Sequence, residues 1–123
     1  MRAFKFILSV ATALTIATSA FPHAPEKGKN GGQQVNAGNY HAEALVKGNT
    51  LDVFLTDHGE TPVPTKGFRG VAVLIVDGKP AKITHAPRGE NVLTGTSAVE
   101  LRAPIRGAIQ ITNSDNETVQ AKF

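Results

Sequence analysis

From Gln33 onward, apolar residues either alternate with polar ones or gather in short runs, and Gly, Asn, Asp or Pro interrupts them at roughly ten-residue intervals. Alternation of period two places one side-chain set on each face of a pleated strand. The pattern predicts strands over 33–37, 42–46, 51–55, 71–76, 80–85, 92–95, 98–101, 107–112 and 118–123. Outside the first twenty residues no segment carries the 3.6-residue apolar period of a helix. The fold class is therefore all-β, a small antiparallel β-sandwich (Ig-like) or barrel of seven to nine short strands.

Turn chemistry sharpens two of these elements. Asp77-Gly78 closes a hairpin between the run Val71 to Val76 and its partner Pro80 to His85, while Gly48-Asn49 closes one between Ala42 to Val46 and Leu51 to Leu55. A two-residue loop at Gly48-Asn49 pairs Val46 with Leu51, Ala44 with Val53, Ala42 with Leu55 and Tyr40 with Asp57 on the face to be buried. The opposite face then carries Leu45 with Asp52, Glu43 with Phe54, and His41 with Thr56. His58 has the parity of Thr56, so it falls diagonally from His41 and near Glu43. Diagonal neighbours across two strands lie about 7–8 Å apart, within reach of long side chains.

The first twenty residues differ from the rest. A short basic start, Met1-Arg2-Ala3-Phe4-Lys5, precedes the apolar stretch Phe6 to Ala20, and Thr18-Ser19-Ala20 offers small residues for cleavage. That order defines a secretory signal peptide over 1–20, with cleavage as late as Ala24 as the alternative. Residues 21–32, rich in Pro, Gly, Lys and Asn, read as a flexible linker, and 33–123 as the domain. The protein is expected to be periplasmic or secreted, with no membrane span left after cleavage.

Cleavage also changes the charge. The chain has 13 basic and 10 acidic residues, and losing Arg2 and Lys5 leaves 11 and 10. The remaining basic residues are scattered and few aromatic rings accompany them, which argues against a nucleic-acid partner. There is no cysteine, and the single methionine is Met1, so neither disulfides nor soft sulfur ligands are expected in the domain.

Candidate chemistry is sparse. No serine sits in a nucleophile elbow, no glycine-rich phosphate loop leads from a strand into a helix, and the register puts Glu43 and Asp57 on opposite faces. The chain is therefore not expected to be an enzyme, and no cofactor is obligatory. His23 would stand third from a new amino terminus if cleavage follows Ala20, but Pro22 has no amide hydrogen for a square-planar Cu²⁺ chelate. The remaining candidate is a metal site of His41 and His58, with Glu43 or Asp57 as oxygen donor, for Zn²⁺, Ni²⁺, Co²⁺ or Cu²⁺. Opposing it is a plainer reading, in which Asp57 starts a turn by hydrogen-bonding its own backbone and the histidines are solvated. His85 is read as a strand-end residue rather than a third ligand.

One set of residues carries a resemblance: Asn30-Gly31-Gly32, then Gly38-x-Tyr40-His41-x-Glu43, then Leu51-x-Val53-Phe54-Leu55-x-Asp57-His58, then Pro62-Val63 and an alternating last strand. The segment resembles the small N-terminal β domain of periplasmic adaptor subunits of heavy-metal efflux pumps of the cobalt-zinc-cadmium class, and related free-standing exported proteins. The resemblance implies a periplasmic β module associated with transition-metal handling. An accessory role in metal homeostasis is the first expectation. A metal-independent module that contacts an envelope or efflux protein partner is the second.

Overall fold

The computed structural model describes residues 26–123; the expected signal peptide, its cleavage region and His23 lie outside the described residues. Nine strands follow in chain order: β1 (Glu26–Lys27), β2 (Gln33–Ala37), β3 (Tyr40–Lys47), β4 (Thr50–Asp57), β5 (Arg69–Val76), β6 (Lys79–Arg88), β7 (Val92–Thr96), β8 (Gly107–Thr112) and β9 (Thr118–Lys122). They form one antiparallel sheet in the order β1-β2-β3-β4-β7-β6-β5-β8-β9. Among the described residues there is no helix, and so none long and apolar enough to cross a membrane.

The sheet curls into a half-barrel that brings β2 back against β9. Small residues allow that approach. Ala37 and Ala121 are buried, and a Cβ at Gly38 would lie 2.5 Å from Val119 Cγ1. The Gln33 side chain ties β2 to the segment before β8, donating to Ile105 O and accepting from Ile105 N at 3.2 and 2.6 Å. Leu51, Val53, Leu55, Leu74, Ile83, Leu93, Ile109 and Ile111 fill the interior. Their alternate spacing on β4, β5, β6 and β8 is what the period-two pattern requires of one buried face.

The long strand β6 makes the curl. Its first part, up to His85, pairs with β5, and Ala86 to Arg88 then pair with β7. The sequence ends this strand at His85 because Pro87 and Gly89 follow. In fact the strand continues, since Ala86, Pro87 and Arg88 find new partners in Thr94, Leu93 and Val92 of β7. His85 therefore sits inside the corner with 1% of its surface exposed, rather than at a strand end.

Two further differences from the sequence reading have physical causes. The segment 98–101 is not a strand: Ser97 N donates to Asn49 O and Leu101 N to Gly48 O, so this stretch caps the β3–β4 turn and inserts Leu101 into the core without a ladder. Of the segment expected as linker, the described part forms β1, paired with Gln33 and Gln34, and a turn closed by Gly28 N to Gly32 O at 2.8 Å.

Candidate functional site

The hairpin of β3 and β4 positions all four proposed site residues. Its register runs from Lys47 opposite Thr50, through Val46 with Leu51 and Ala44 with Val53, to His41 with Thr56 and Tyr40 with Asp57. Gly48 adopts φ 62°, the left-handed conformation that the two-residue turn demands. That register matches the sequence expectation pair for pair, and it fixes which side chains share a face.

The two imidazoles converge. His41 Nε2 lies 2.9 Å from His58 Nδ1, and the rings meet edge to face with centroids 4.7 Å apart and planes at 77°. His58 is exposed and His41 half-buried. The outer nitrogens also have partners: His58 Nε2 is 3.2 Å from Gly38 O, and His41 Nδ1 is 3.4 Å from the Gln34 side-chain amide nitrogen. One assignment of hydrogens satisfies the whole chain. Gln34 donates to His41 Nδ1, His41 Nε2–H donates to His58 Nδ1, and His58 Nε2–H donates to Gly38 O.

The carboxylates behave differently. Glu43 is 4% exposed and its two oxygens accept from Asn30 N at 3.1 and 2.9 Å, from Asn30 Nδ2 at 2.9 Å and from Gly32 N at 2.8 Å. The turn Gly28 to Gly32 is wrapped over it, and both oxygens are occupied by these amides. Asp57 Oδ1 accepts from Gly59 N and Thr61 N, both at 2.9 Å, and the residue stands opposite Tyr40 rather than on the His41 side. Asp57 therefore makes the turn that sequence offered as the plainer reading. Of the four residues named as candidate ligands, the structure brings His41 and His58 together and gives both carboxylates backbone work. Among the described residues no group of three or more His, Cys, Asp or Glu side chains converges on one point.

Gln34 and Gly38 were not foreseen as part of this cluster. Their role follows from the β2–β3 pairing, in which Asn36 faces His41 and Gln34 has the same parity. A reading of the Gly38-Asn39 turn as a second tight hairpin would have found them.

A second polar cluster lies on the same face of β4. Asp52, 2% exposed, accepts from Arg88 Nη2 and from Thr94 Oγ1, each at 2.6 Å. Beneath it His85 presents Nε2 to Leu51 O at 3.1 Å and Nδ1 to Ile83 O at 3.3 Å. Burial lowers the pKa of His85 from its ordinary 6.5, against the opposing pull of the Ile83 and Leu51 carbonyls and of Asp52. Among the described residues no buried side-chain nitrogen or oxygen lacks a partner. His85 is thus enclosed and is no third ligand to the surface pair.

Comparison of the chain with protein-family models, curated proteins and solved structures found no match.

Proposed function

We propose that this protein is an exported accessory module in transition-metal homeostasis that captures a borderline divalent ion, Zn²⁺, Ni²⁺, Co²⁺ or Cu²⁺, weakly and reversibly between His41 and His58. The observation that carries this reading is the 2.9 Å separation of His41 Nε2 and His58 Nδ1 at an exposed position. Nitrogens held about 2.0–2.1 Å from one ion stand roughly 2.9 Å apart at a right angle and roughly 3.4 Å apart at the tetrahedral angle. The separation already lies in the range that two ligands of one ion require, and entry of an ion needs both rings to turn their lone pairs toward a common point, plus a change of tautomer at His41. His58 is already in the required tautomer, because its Nε2–H donates to the Gly38 carbonyl and leaves Nδ1, which accepts from His41, as the unprotonated nitrogen. Such a bond orients a ligating imidazole and fixes its tautomer. The resemblance to efflux-adaptor β domains supports the same class of function, as does the apolar leader for export.

Isothermal titration of the purified protein with Zn²⁺, Ni²⁺ and Cu²⁺ tests the reading. The expected outcome is one ion per chain, lost in a His41→Ala/His58→Ala double variant. Equal affinity in the variant, or no binding by the parent, would contradict it.

A second reading, a metal-independent contact with an envelope protein, is favoured by one feature. Val73 and Ile75 stand 46% and 52% exposed on the outer face of β5, an apolar stripe that none of the described residues covers. A pull-down from envelope extract that responds to Val73→Lys/Ile75→Lys and ignores the histidine variants would support it.

A further inference from the structure

We infer that the outer face of β5 and β8, with the cleft at its end, docks an amphipathic helix of a partner protein whose apolar stripe is flanked on both sides by Asp or Glu. The inference rests on the second reading above, a protein contact through Val73 and Ile75, and adds the chemistry and shape of what is bound. It makes no use of the histidine pair. Its starting point is the register of four neighbouring strands. On the outward side, Lys82 of β6 stands beside Val73 of β5, Val73 beside Ala108 of β8, and Ala108 beside Lys122 of β9. An apolar pair thus lies between two exposed lysines whose backbones are three strand spacings, or about 14 Å, apart.

The charge of this face has one sign. Among the outward positions that β5, β6, β8 and β9 share in these pairings, the charged residues are Arg69, Lys82 and Lys122, and none is Asp or Glu. The described residues contain one ion pair, Arg88 with Asp52, and so none between these three cations and a described carboxylate. The acids in the adjoining turns and loop are Asp77, Glu100, Asp115 and Glu117, and at the cleft Asp77 and Glu100 are matched in number by Arg102 and Arg106. A second copy of this chain would bring the same cations against themselves across a two-fold interface. Residues 1–25 contain Arg2 and Lys5 and no acidic residue, so the leader brings no countercharge either. The electrostatic complement is an acidic surface on another molecule.

Shape then separates a helix from a lipid surface. Val71, Val73 and Ile75 are alternate residues of one strand, about 6.7 Å apart, and helix residues one turn apart are separated by about 5.4–6 Å. A helix laid along β5 therefore sets an apolar side chain near each of the three. With its side chains a helix is about 10–12 Å across, which fits between the two lysines and leaves flanking carboxylates within their reach. The stripe also ends in a recess. Ile75 lines a cleft of about 180 Å³ together with Leu101, Pro104, Ile105 and the two arginines. A cavity of about 150 Å³ takes a benzene ring, so this cleft holds one Leu or Phe side chain as an anchor. A lipid surface supplies anionic headgroups but no single side chain to fill the recess, whereas helices commonly pack on the apolar face of a sheet.

The test uses two synthetic peptides of about five helical turns, each with leucines one turn apart along one stripe and alanine on the far side, one flanked by glutamates and the other by lysines. Each is titrated into the ¹⁵N-labelled full chain and followed by heteronuclear NMR. The glutamate-flanked peptide is expected to move the amides of Val71, Val73, Ile75, Arg106 and Ala108 to saturation, to leave those of His41 and His58 in place, and to bind less tightly as salt is added. Lys82→Glu/Lys122→Glu is expected to weaken that binding at least about tenfold and to admit the lysine-flanked peptide instead, a reversal that misfolding would not produce. Equal binding of both peptides at this face of the parent would overturn the acidic-helix inference and leave the protein-contact reading intact. An unmoved face would overturn the inference too, and the envelope pull-down then decides that reading on its own. Contact between the leader and this face, seen as nuclear Overhauser effects, or a dimer that Val73→Lys dissolves, would overturn it by assigning the face to this chain itself. Movement of the face with phosphatidylglycerol vesicles and with neither peptide would assign it to a membrane surface and overturn inference and reading together.

Discussion

The middle and the end of the β3–β4 hairpin display polar side chains on the same outer face, yet they are in opposite chemical states. In the middle, Glu43 and Asp52 are buried, and their acceptors are filled by Asn30, Gly32, Arg88 and Thr94. At the end, His41 and His58 are partly or fully open to solvent, and each ring nitrogen is held by a single neighbour. A carboxylate that ties two segments together is a structural part. An imidazole pair held only by single neighbours at the surface is open to the metal capture proposed above. The difference shows that ligand capacity depends on what else a donor is already bonded to, and residue type alone does not reveal that.

The largest expected effect comes from the middle. Glu43→Ala removes the acceptor for two backbone amides and one side-chain amide, and should cost about 3 kcal/mol of stability, read as a lower urea midpoint. Metal affinity of the folded variant should stay within about twofold of the parent. A large loss of affinity in the folded protein would make Glu43 a ligand and erase the contrast between the two regions.

The next effect is pH-dependent and concerns His85. Its folded pKa lies below the unfolded one because burial disfavours the charged ring. The unfolded state therefore takes up the proton first as pH falls. Stability from this residue is complete above the ordinary value of 6.5 and declines below it, toward the lowered folded value. His85→Gln should flatten that acid slope in urea titrations at pH 7 and pH 5.

At the end of the hairpin, Gln34→Leu removes the side chain that fixes the outer nitrogen of His41. Affinity for Cu²⁺ should fall roughly tenfold by calorimetry, the usual consequence of losing a group that orients a ligand. The smallest effect expected is on the stability of the double histidine variant, within about 0.5 kcal/mol of the parent, because the pair is a surface feature. A loss of several kcal/mol there would mark the pair as structural.

Much of the local architecture was legible in the sequence. Alternation and the Gly48-Asn49 turn fix the β3–β4 register, and with it the convergence of His41 and His58. What escaped were contacts between segments distant along the chain. The cover over Glu43 comes from residues 28–32, whose glycines and polar residues carry no periodic pattern. Leu101 joins the core through amides bonded to the Gly48 and Asn49 carbonyls, so its segment imitates a strand without pairing as one. The corner at His85 arises because β6 changes partners from β5 to β7 midway, a choice made by neighbours and not by its own residues.

The most direct test is a long-range ¹H–¹⁵N spectrum of the three imidazoles of the folded domain as Zn²⁺ is added. His41 Nε2 and His58 Nδ1 should shift together and saturate at one ion per chain, with His85 unmoved. Shifts in only one of the two rings, or in neither, would contradict a shared site.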